Sequence, residues 1–440
     1  MSLENFNITD EFAKALDLME NSQQHLFITG RAGTGKSTLL RHFRSITQKK
    51  VVVLAPTGLA AINVRGQTIH SFFGFPPHPV SSSHIRRRRE KERELFENLD
   101  TIIIDEASMV RADILDAIDY FMRINGRHRT TPFGGVQMIF IGDLFQLPPV
   151  ISSDIEKQLF NFLYDTPYFF SSHSLMSAEL VFVELTRVFR QTDRRFLDLL
   201  EAIRTKELDH ETLDYINHFC YKKHFTPPDG QYYITLTATN FTAEQINRNE
   251  LNKINTPAFT FKGDTTGEFN RQKHSLPNEE LLTFKEGAQV MFVRNDQWHR
   301  WVNGTLGRIQ YVDSEIVCVE VQGEHGTVVH KVEQATWEIV RYAYNEQERK
   351  IDTEVIGTFN QLPLKLAWAI TIHKSQGQTF SNLVIDLGRG AFAPGQAYVA
   401  FSRCTTLGGI VLKKPLYYND VIVDNRIIDF SNKKNVYRNI

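Results

Sequence analysis

The sequence predicts an α/β protein of two or three domains, with parallel sheets flanked by helices and a smaller all-β insertion. The chain has 440 residues, more than one hydrophobic core normally organises. Short apolar runs are followed by polar or glycine-containing loops and then by helical spacing, which is typical of parallel sheets. From about residue 285 to 357 the pattern changes to short alternating strands, which favours an inserted β-domain.

The composition excludes several classes of protein. Hydrophobic residues make up 42% and charged residues 23% of the chain, as in soluble globular proteins, and no run of eighteen apolar residues is present. The polar N-terminus does not resemble a signal peptide, so we expect a cytoplasmic protein. The three cysteines have no CxxC spacing, which argues against a zinc site. Since the net charge is −1, any nucleic-acid site must be a local groove.

The first element is the stretch GRAGTGKST, which follows the apolar run LFIT and precedes the helical pattern TLLRHFRSI. Its glycines let the backbone wrap phosphate oxygens, Lys36 reaches the β- and γ-phosphates, and Ser37 offers a hydroxyl to Mg²⁺. A chance glycine-rich turn is the structural alternative. The pattern predicts a nucleoside triphosphate site formed by Gly33, Thr34, Gly35, Lys36, Ser37 and Thr38.

The second element is DTIIIDEASMV, a buried strand that ends in two carboxylates. Asp105 at the strand end can hold Mg²⁺ through water, and Glu106 can polarise the attacking water. Capping of the next helix is the alternative role for this pair.

The third element is QMIFIGDLFQLPPV, another strand that leads into Asp143 and Gln146. Gln146 can contact the γ-phosphate and report its loss after hydrolysis. Alternatively, both side chains merely fix the Pro-Pro turn that follows.

Between the first two elements lies VVVLAPTGLAAINVRGQTIHSFFGF, in which polar residues alternate with aromatic ones. Hydroxyl groups and aromatic rings along Thr57, His70 and Phe72 suit a track where phosphates are contacted and bases stack. Core packing of the phenylalanines is the alternative.

The last elements are KLAWAITIHKSQGQTFSNLVIDLG and AYVAFSRCTT. We interpret the first as an apolar helix, a polar turn with glycine and a buried strand. Arg403, and Arg190 in the earlier stretch LTRVFRQ, lie far along the chain from the P-loop. Both are candidates for arginine fingers that a second domain delivers to the γ-phosphate, and ordinary ion pairs are the alternative.

In order, GRAGTGKST, APTGLAA, IIIDEASMV, GDLFQLPPV, LTRVFRQ, TIHKSQGQTF and AYVAFSRC resemble the motif series of superfamily 1 helicases. The stretches GQTIHSFFGF, PFGGVQMIFIGDLFQLPPV, EGAQVMFVRND and WVNGTLGRI are similar to those of the Pif family in particular. These matches run from about Gly30 to Thr406, so the resemblance covers nearly all of the chain.

The resemblance implies an ATP- and Mg²⁺-dependent DNA helicase that moves 5′→3′ on single strands, with two RecA-like domains around one nucleotide. It also implies unwinding of forked duplexes, G-quadruplexes and RNA-DNA hybrids, roles in DNA repair, recombination and telomere maintenance, and a monomer able to oligomerise on DNA. Gly377 and Gln378 would couple the nucleotide to DNA. The implied DNA contacts are Thr57, His70 and Phe72 in the first domain and Thr371, His373, Lys374 and Ser375 in the second.

One position departs from the family pattern. The family often carries an adenine-reading glutamine upstream of the P-loop, where this chain has Phe12. Gln23 and Gln24 are the remaining candidates for that role.

The expected domains are residues 1–182, with a small wedge element at about 64–80, then 183–284 with 358–440, and an inserted β-barrel at 285–357. Trp298, Trp301 and Trp337 of the insertion can stack on bases or fill its core, and we favour the core for Trp337. The arginines that precede Glu90 either line the DNA path or form a solvated helix face, which we favour.

Three other functions fit parts of the sequence. A RecD- or relaxase-type helicase shares the core motifs. A non-motor DNA-binding protein would use ATP only as a switch, and translocation distinguishes it from a helicase. A small-molecule P-loop kinase would leave the downstream motifs without a purpose.

Overall fold

The structure is a computed structural model that describes residues 9–433 except 77, 152, 192, 229, 268–275 and 324–325. Residues 1 and 440, which end the first and second expected domains, lie outside the described residues. The helices are α1 (Asp10–Asn21), α2 (Lys36–Ile46), α3 (Gly58–Asn63), α4 (Ile69–Phe73), α5 (Glu90–Asn98), α6 (Ala112–Asn125), α7 (Asp154–Leu163), α8 (His173–Met176), α9 (Arg194–Thr205), α10 (His210–Cys220), α11 (Asn240–Asn252), α12 (Gln396–Phe401) and α13 (Asn425–Lys433).

The strands alternate with these helices in the first and last thirds of the chain. They are β1 (His25–Gly30), β2 (Val51–Ala55), β3 (Gln67–Thr68), β4 (Thr101–Ile104), β5 (Gln137–Gly142), β6 (Leu180–Leu185), β7 (Ile234–Thr237), β8 (Ala258–Lys262), β9 (Asp264–Gly267), β10 (Leu281–Lys285), β11 (Gln289–Phe292), β12 (Leu306–Val312), β13 (Val317–Gly323), β14 (Gly326–Val332), β15 (Ala335–Asn345), β16 (Lys350–Gln361), β17 (Leu364–Leu366), β18 (Ala369–Thr371), β19 (Leu383–Asp386) and β20 (Ile410–Leu412). No helix in the described ranges is long and apolar enough to cross a bilayer.

The first domain is built on a parallel sheet with the strand order β3-β2-β4-β5-β1-β6. β4, β5 and β1 are neighbours, so the loops after their carboxyl ends meet at one edge, where parallel sheets bind ligands. β6 pairs with β1 along its whole length, so the expected boundary at residue 183 falls inside a strand of this sheet and is wrong.

The stretch 64–80, where we expected a wedge element within the first domain, packs against the sheet and core of that domain. β3 joins the sheet beside β2, and α4 buries Phe72 and Phe73 in the aromatic core next to Phe96. Aromatic rings in this stretch therefore stabilise the domain by burial.

The second domain is built on a parallel sheet with the order β18-β7-β19-β20. The helix that we expected in KLAWAITIHKSQG is wrong, because this segment forms β17, β18 and a short 3₁₀ turn at His373–Ser375. A short apolar run does not distinguish a buried strand from a helix by periodicity alone. In this chain β18 pairs with β7, so the segment is a strand.

The insertion is wider than the expected range of 285–357 and extends from β8 to β17. β8 pairs with β10, β9 with β16, and β17 closes the five-stranded sheet β14-β13-β12-β11-β17. Trp301 and Trp337 are buried, and Trp301 stacks on Phe292 with ring centroids 4.2 Å apart. Trp298 is 72% exposed, so the three tryptophans have different surroundings.

A long hairpin of the insertion, β15 with β16, reaches the first domain. Tyr342 of β15 is buried in the aromatic core there, with its ring 5.9 Å from that of Phe72. Its hydroxyl accepts a hydrogen bond from the Val53 N–H at 3.1 Å. The hairpin thus joins the insertion to the sheet of the first domain.

The C-terminal helix α13 packs on the first domain, although we expected 358–440 to belong entirely to the second. Phe430 stacks on Phe170 with centroids 4.1 Å apart and also contacts Phe182 and Phe27. Ile427 is buried in the same core. Burial of the apolar face of α13 holds this C-terminal helix on the first domain.

We predict that Phe430→Ala lowers the free energy of unfolding of the first domain by about 2 kcal/mol, because a half-buried ring leaves a cavity. Urea unfolding followed by circular dichroism measures this change. Phe241→Ala is the matched control, since Phe241 on α11 is 74% exposed and its loss should have little effect. Equal effects of the two variants would contradict the docking of α13.

Candidate active site

The P-loop joins β1 to α2 at the carboxyl edge of the first sheet. Gly33 and Gly35 have φ angles of +82° and +89°, which side chains other than glycine adopt at a cost. Lys36 Nζ donates to the carbonyl oxygens of Gly30 at 2.7 Å and Arg31 at 3.0 Å, and burial lowers its pKa. A bound phosphate would offset that loss of solvation.

Two carboxylates lie at the end of β4, next to the P-loop. Asp105 is buried, and this burial, together with the neighbouring charge of Glu106, raises its pKa to about 7. Burial also raises the pKa of Glu106, while Lys36 and Arg403 favour its charged form. The pair is therefore a poorly compensated negative site that a cation would stabilise.

The donors present fit Mg²⁺. Ser37 is exposed at the start of α2, so its hydroxyl is accessible, and Asp105 lies at the end of the neighbouring part of the sheet. The described residues contain no cluster of three or more His, Cys, Asp or Glu side chains that could hold a metal alone. One hydroxyl and one carboxylate, with phosphates and water, match the way Mg²⁺ binds with nucleotides.

Asp143 and Gln146 follow β5 and are both buried. The Asp143 carboxylate accepts from the Phe145 N–H at 3.2 Å and from Gln146 Nε2 at 3.3 Å. This bonding fixes the turn, in agreement with the structural alternative. The turn follows β5, which is the neighbour of β1, so the loop that carries Gln146 lies at the same sheet edge as the P-loop.

Both candidate arginine fingers lie at the interdomain cleft. The Arg190 Cβ is 2.6 Å from the position that a Cβ on Gly33 would occupy, so Arg190 packs directly on the P-loop. Arg403 is 1% exposed, and burial and the charge of Arg190 lower its pKa to about 9. Its guanidinium is held by carbonyl and hydroxyl oxygens of Val399, Ser375, Gln378 and Ser402.

The charged side chains of the cleft affect one another's pKa values, which shows that the fold brings them close together. Lys36, Arg190 and Arg403 each favour the ionised form of Glu106. Buried cations around an acidic pair leave this cleft suited to a polyanion such as a triphosphate with its metal.

The candidate DNA contacts form two groups. In the first domain Thr57 caps α3 and His70 is half-buried, but Phe72 is only 9% exposed in the core. The position of Phe72 favours the packing alternative, since its ring has no free face for a base in this arrangement.

The second group lies on the 3₁₀ turn after β18. Thr371 and Ser375 are buried, His373 is half-buried, and Lys374 and Gly377 are exposed. A Cβ on Gly377 would lie 4.0 Å from Asn63 Nδ2 of α3, so the turn faces the first domain across a narrow gap.

Neither Gln23 nor Gln24 approaches the P-loop, because both precede the amino end of β1. Phe12, at the position where the family often has glutamine, lies on α1 and is buried in the core with Leu39 and Phe43 of α2. A six-residue strand separates the two glutamines from the P-loop by about 20 Å. The candidates Gln23 and Gln24 are therefore wrong.

Sequence reasoning missed two side chains at the cleft. Tyr398 of α12 and Arg204 of α9 both contact the Asp143 carboxylate, at 3.1 Å and 3.4 Å. Tyr398 lies within the motif AYVAFSRC, the motif that identified Arg403. Arg204 lies in the last turn of α9, in a stretch with no distinguishing sequence pattern.

Two parallel α/β domains that share one nucleotide cleft define the class of this protein. It is a RecA-like P-loop ATPase with the two-domain architecture of superfamily 1 helicases.

Comparison with known proteins narrows the class to a family. Residues 7–212 match the model of the PIF1-like helicases. The chain is 32% identical to the ATP-dependent DNA helicase Pif1 of Bdellovibrio bacteriovorus, across 98% of this chain and 93% of the relative. The crystal structure of Bacteroides Pif1 with ADP-AlF4 aligns with a TM-score of 0.88 and 34% identity over 98% of both chains. A structure concerned with DNA unwinding at forked duplex DNA by two coordinating Pif1 helicases aligns with a TM-score of 0.69 and 34% identity over 98% of both chains.

The chain belongs to the Pif1-like helicase family. It is an ATP-dependent DNA helicase, with ATP and Mg²⁺ as its cofactors.

We predict that Asp105→Asn stabilises the metal-free protein at pH 8 by on the order of 2 kcal/mol relative to the wild type. In the folded state the pKa of Asp105 is about 7, whereas the ordinary pKa of an aspartate is 3.8. Wild-type stability should therefore fall as pH rises from about 4 to 7, and the variant should lack that part of the slope.

Thermal unfolding in EDTA at a series of pH values measures this difference. Asp198→Asn, which changes an exposed carboxylate on α9, is the control and should retain the wild-type slope. Parallel curves for Asp105→Asn and the wild type would contradict the proposed burial cost.

Proposed function

We propose that this helicase moves 5′→3′ along single-stranded DNA and uses ATP hydrolysis to unwind duplex, forked and G-quadruplex DNA and RNA-DNA hybrids. DNA would lie across both domains, over Thr57 and His70 on one side and His373, Lys374 and Ser375 on the other. The similar structure that concerns unwinding at forked duplex DNA by two Pif1 helicases supports a forked substrate.

The observation that carries the proposal is the attachment of Arg403 to the turn that faces DNA. Its guanidinium donates to the carbonyl oxygens of Ser375 and Gln378, both at 3.5 Å. Gly377 lies between these residues and faces Asn63 of the first domain. Any shift of the turn on DNA binding therefore moves a cation of the nucleotide cleft.

The chemistry follows from the cleft residues. P-loop N–H groups and Lys36 bind the phosphates, and Mg²⁺, held through Ser37 and Asp105, neutralises phosphate charge when bound. Glu106 orients the attacking water and accepts its proton. Arg190 and Arg403 stabilise the charge that develops on the transferred phosphoryl group, and Gln146 reports the loss of the γ-phosphate.

Closing and opening of the cleft would give the two domains alternate grips on the strand, with an advance of about one nucleotide per ATP. The polarity follows from the family resemblance.

Since forks, quadruplexes and hybrids all present a single strand to such a motor, roles in repair, recombination and telomere maintenance are consistent with it. We place the activity in the bacterial cytoplasm, at the nucleoid, with a monomer as the basic unit and oligomers on DNA.

We predict that Arg403→Ala lowers DNA-stimulated ATP turnover by about 10³-fold, because an arginine finger acts mainly on the transition state. ATP affinity should change little. Steady-state hydrolysis and binding of a fluorescent nucleotide measure the two quantities. Arg389→Ala, an exposed arginine of the same domain, should hydrolyse ATP normally. Near-normal turnover of Arg403→Ala with DNA bound would refute the assignment.

The directional proposal is tested with duplexes that carry either a 5′ or a 3′ single-stranded tail. We expect unwinding of the 5′-tailed duplex only, and ATP hydrolysis that single-stranded DNA stimulates strongly. Lys36→Ala, which removes the phosphate-binding ammonium, is the control without motor activity.

Two outcomes would overturn the proposal in different ways. Unwinding from the 3′ tail alone would reverse the direction. Hydrolysis that ignores DNA, with no unwinding from either tail, would instead indicate an ATP-operated binding switch.

A further inference from the structure

Tyr398 links three parts of the nucleotide cleft through one oxygen atom. Its side chain extends from α12 of the second domain and is buried at the cleft. The hydroxyl accepts a hydrogen bond from the Ala32 N–H of the P-loop at 2.9 Å. It donates to Asp143 Oδ2, in the loop after β5, at 3.1 Å.

The Asp143 carboxylate is shared between the two domains. Within its own loop it accepts from the Phe145 N–H and from the Gln146 side chain. From the second domain it contacts Arg204 and Tyr398. The Arg204 guanidinium also lies over the Phe145 ring, 4.1 Å from its centroid. The loop that carries Gln146 is thus fixed from both sides of the cleft.

A second contact brings the start of α12 against the same loop. A Cβ on Gly395 would lie 2.4 Å from the Gln146 carbonyl oxygen and 2.5 Å from that of Phe145. Gly395 has a φ of +75°, so both its conformation and its surroundings require glycine. The backbone of the second domain therefore touches the peptide that carries Gln146, and the inference below rests on the proposed function of Gln146 as the γ-phosphate sensor.

We propose that Tyr398 is a positioning residue for ATP hydrolysis, whose hydroxyl sets the P-loop and the Gln146 loop relative to the second domain. When the cleft closes, the hydroxyl holds the Ala32 N–H and the Asp143 carboxylate at a fixed separation. When it opens, both groups lose that restraint. Correct placement of Gln146 against the phosphates thereby depends on domain closure, in addition to the delivery of Arg190 and Arg403.

Tyr398→Phe removes the hydroxyl and keeps the ring, so it tests the proposal with little change in packing. We expect the DNA-stimulated kcat to fall by about 10-fold or more, since a small misplacement of a positioned group is costly. The KM for ATP should stay within about twofold, because phosphate binding by the P-loop is retained. Tyr215→Phe, whose ring packs on Phe219 and Arg195 in the second domain, is the matched control and should behave as the wild type.

Binding stoichiometry and affinity for fluorescent ADP provide a readout that is independent of turnover. A purely structural role would reduce the fraction of molecules that bind nucleotide and the thermal midpoint together with kcat, and would overturn the proposal. An unchanged kcat would overturn it as well.

A double variant tests whether Tyr398 and Asp143 affect kcat together or independently. If the hydroxyl acts through Asp143, Tyr398→Phe combined with Asp143→Asn should lower kcat no further than Asp143→Asn alone. Multiplicative losses in the double variant would show that the two residues act separately, contrary to the proposal. Direct ADP binding is measured for each variant, so a failure to fold cannot be mistaken for either result.

Discussion

The arrangement of this molecule depends on buried charge at the cleft between two parallel sheets. Asp105, Glu106 and Asp143 lie on the side of the first domain, with Lys36 among them. Burying charges is costly unless each is paired or hydrogen-bonded. The second domain supplies Arg403 and other cations from across the cleft, so neither domain alone satisfies this site. In the proposed function, ATP with its metal would add the remaining charges, and its binding would be linked to the meeting of the domains.

Much of this site could be predicted from sequence because its chemistry requires particular residues at fixed spacing. The P-loop, the carboxylates after β4 and the loop after β5 each follow an apolar run that forms a strand, and neighbouring parallel strands bring their ends together. Arg403 and Arg190 were found through their motifs, and the structure places both at the P-loop side of the cleft.

The wrong predictions concern segments whose structure is determined by tertiary packing and not by the local sequence pattern. Phe72 has the aromatic and polar neighbours of a base-stacking site, yet Tyr342 from a distant hairpin covers it. The apolar stretch before His373 could form a helix or a strand, and pairing with β7 selects the strand. Docking of α13 on the first domain depends on Phe170 and Phe182, which lie about 250 residues earlier in the chain.

The identity of residue 398 follows from the same constraint of buried charge. One neutral atom must accept a hydrogen bond from the Ala32 N–H and donate one to the Asp143 carboxylate. A hydroxyl does both, whereas a thiol does so only weakly. Lysine or arginine would donate but not accept, and would add a cation to a cleft that already holds several. Serine and threonine have the hydroxyl but are too short to extend from α12 to both groups. Tyrosine combines the reach with neutrality, and burial, which raises its pKa, keeps it protonated.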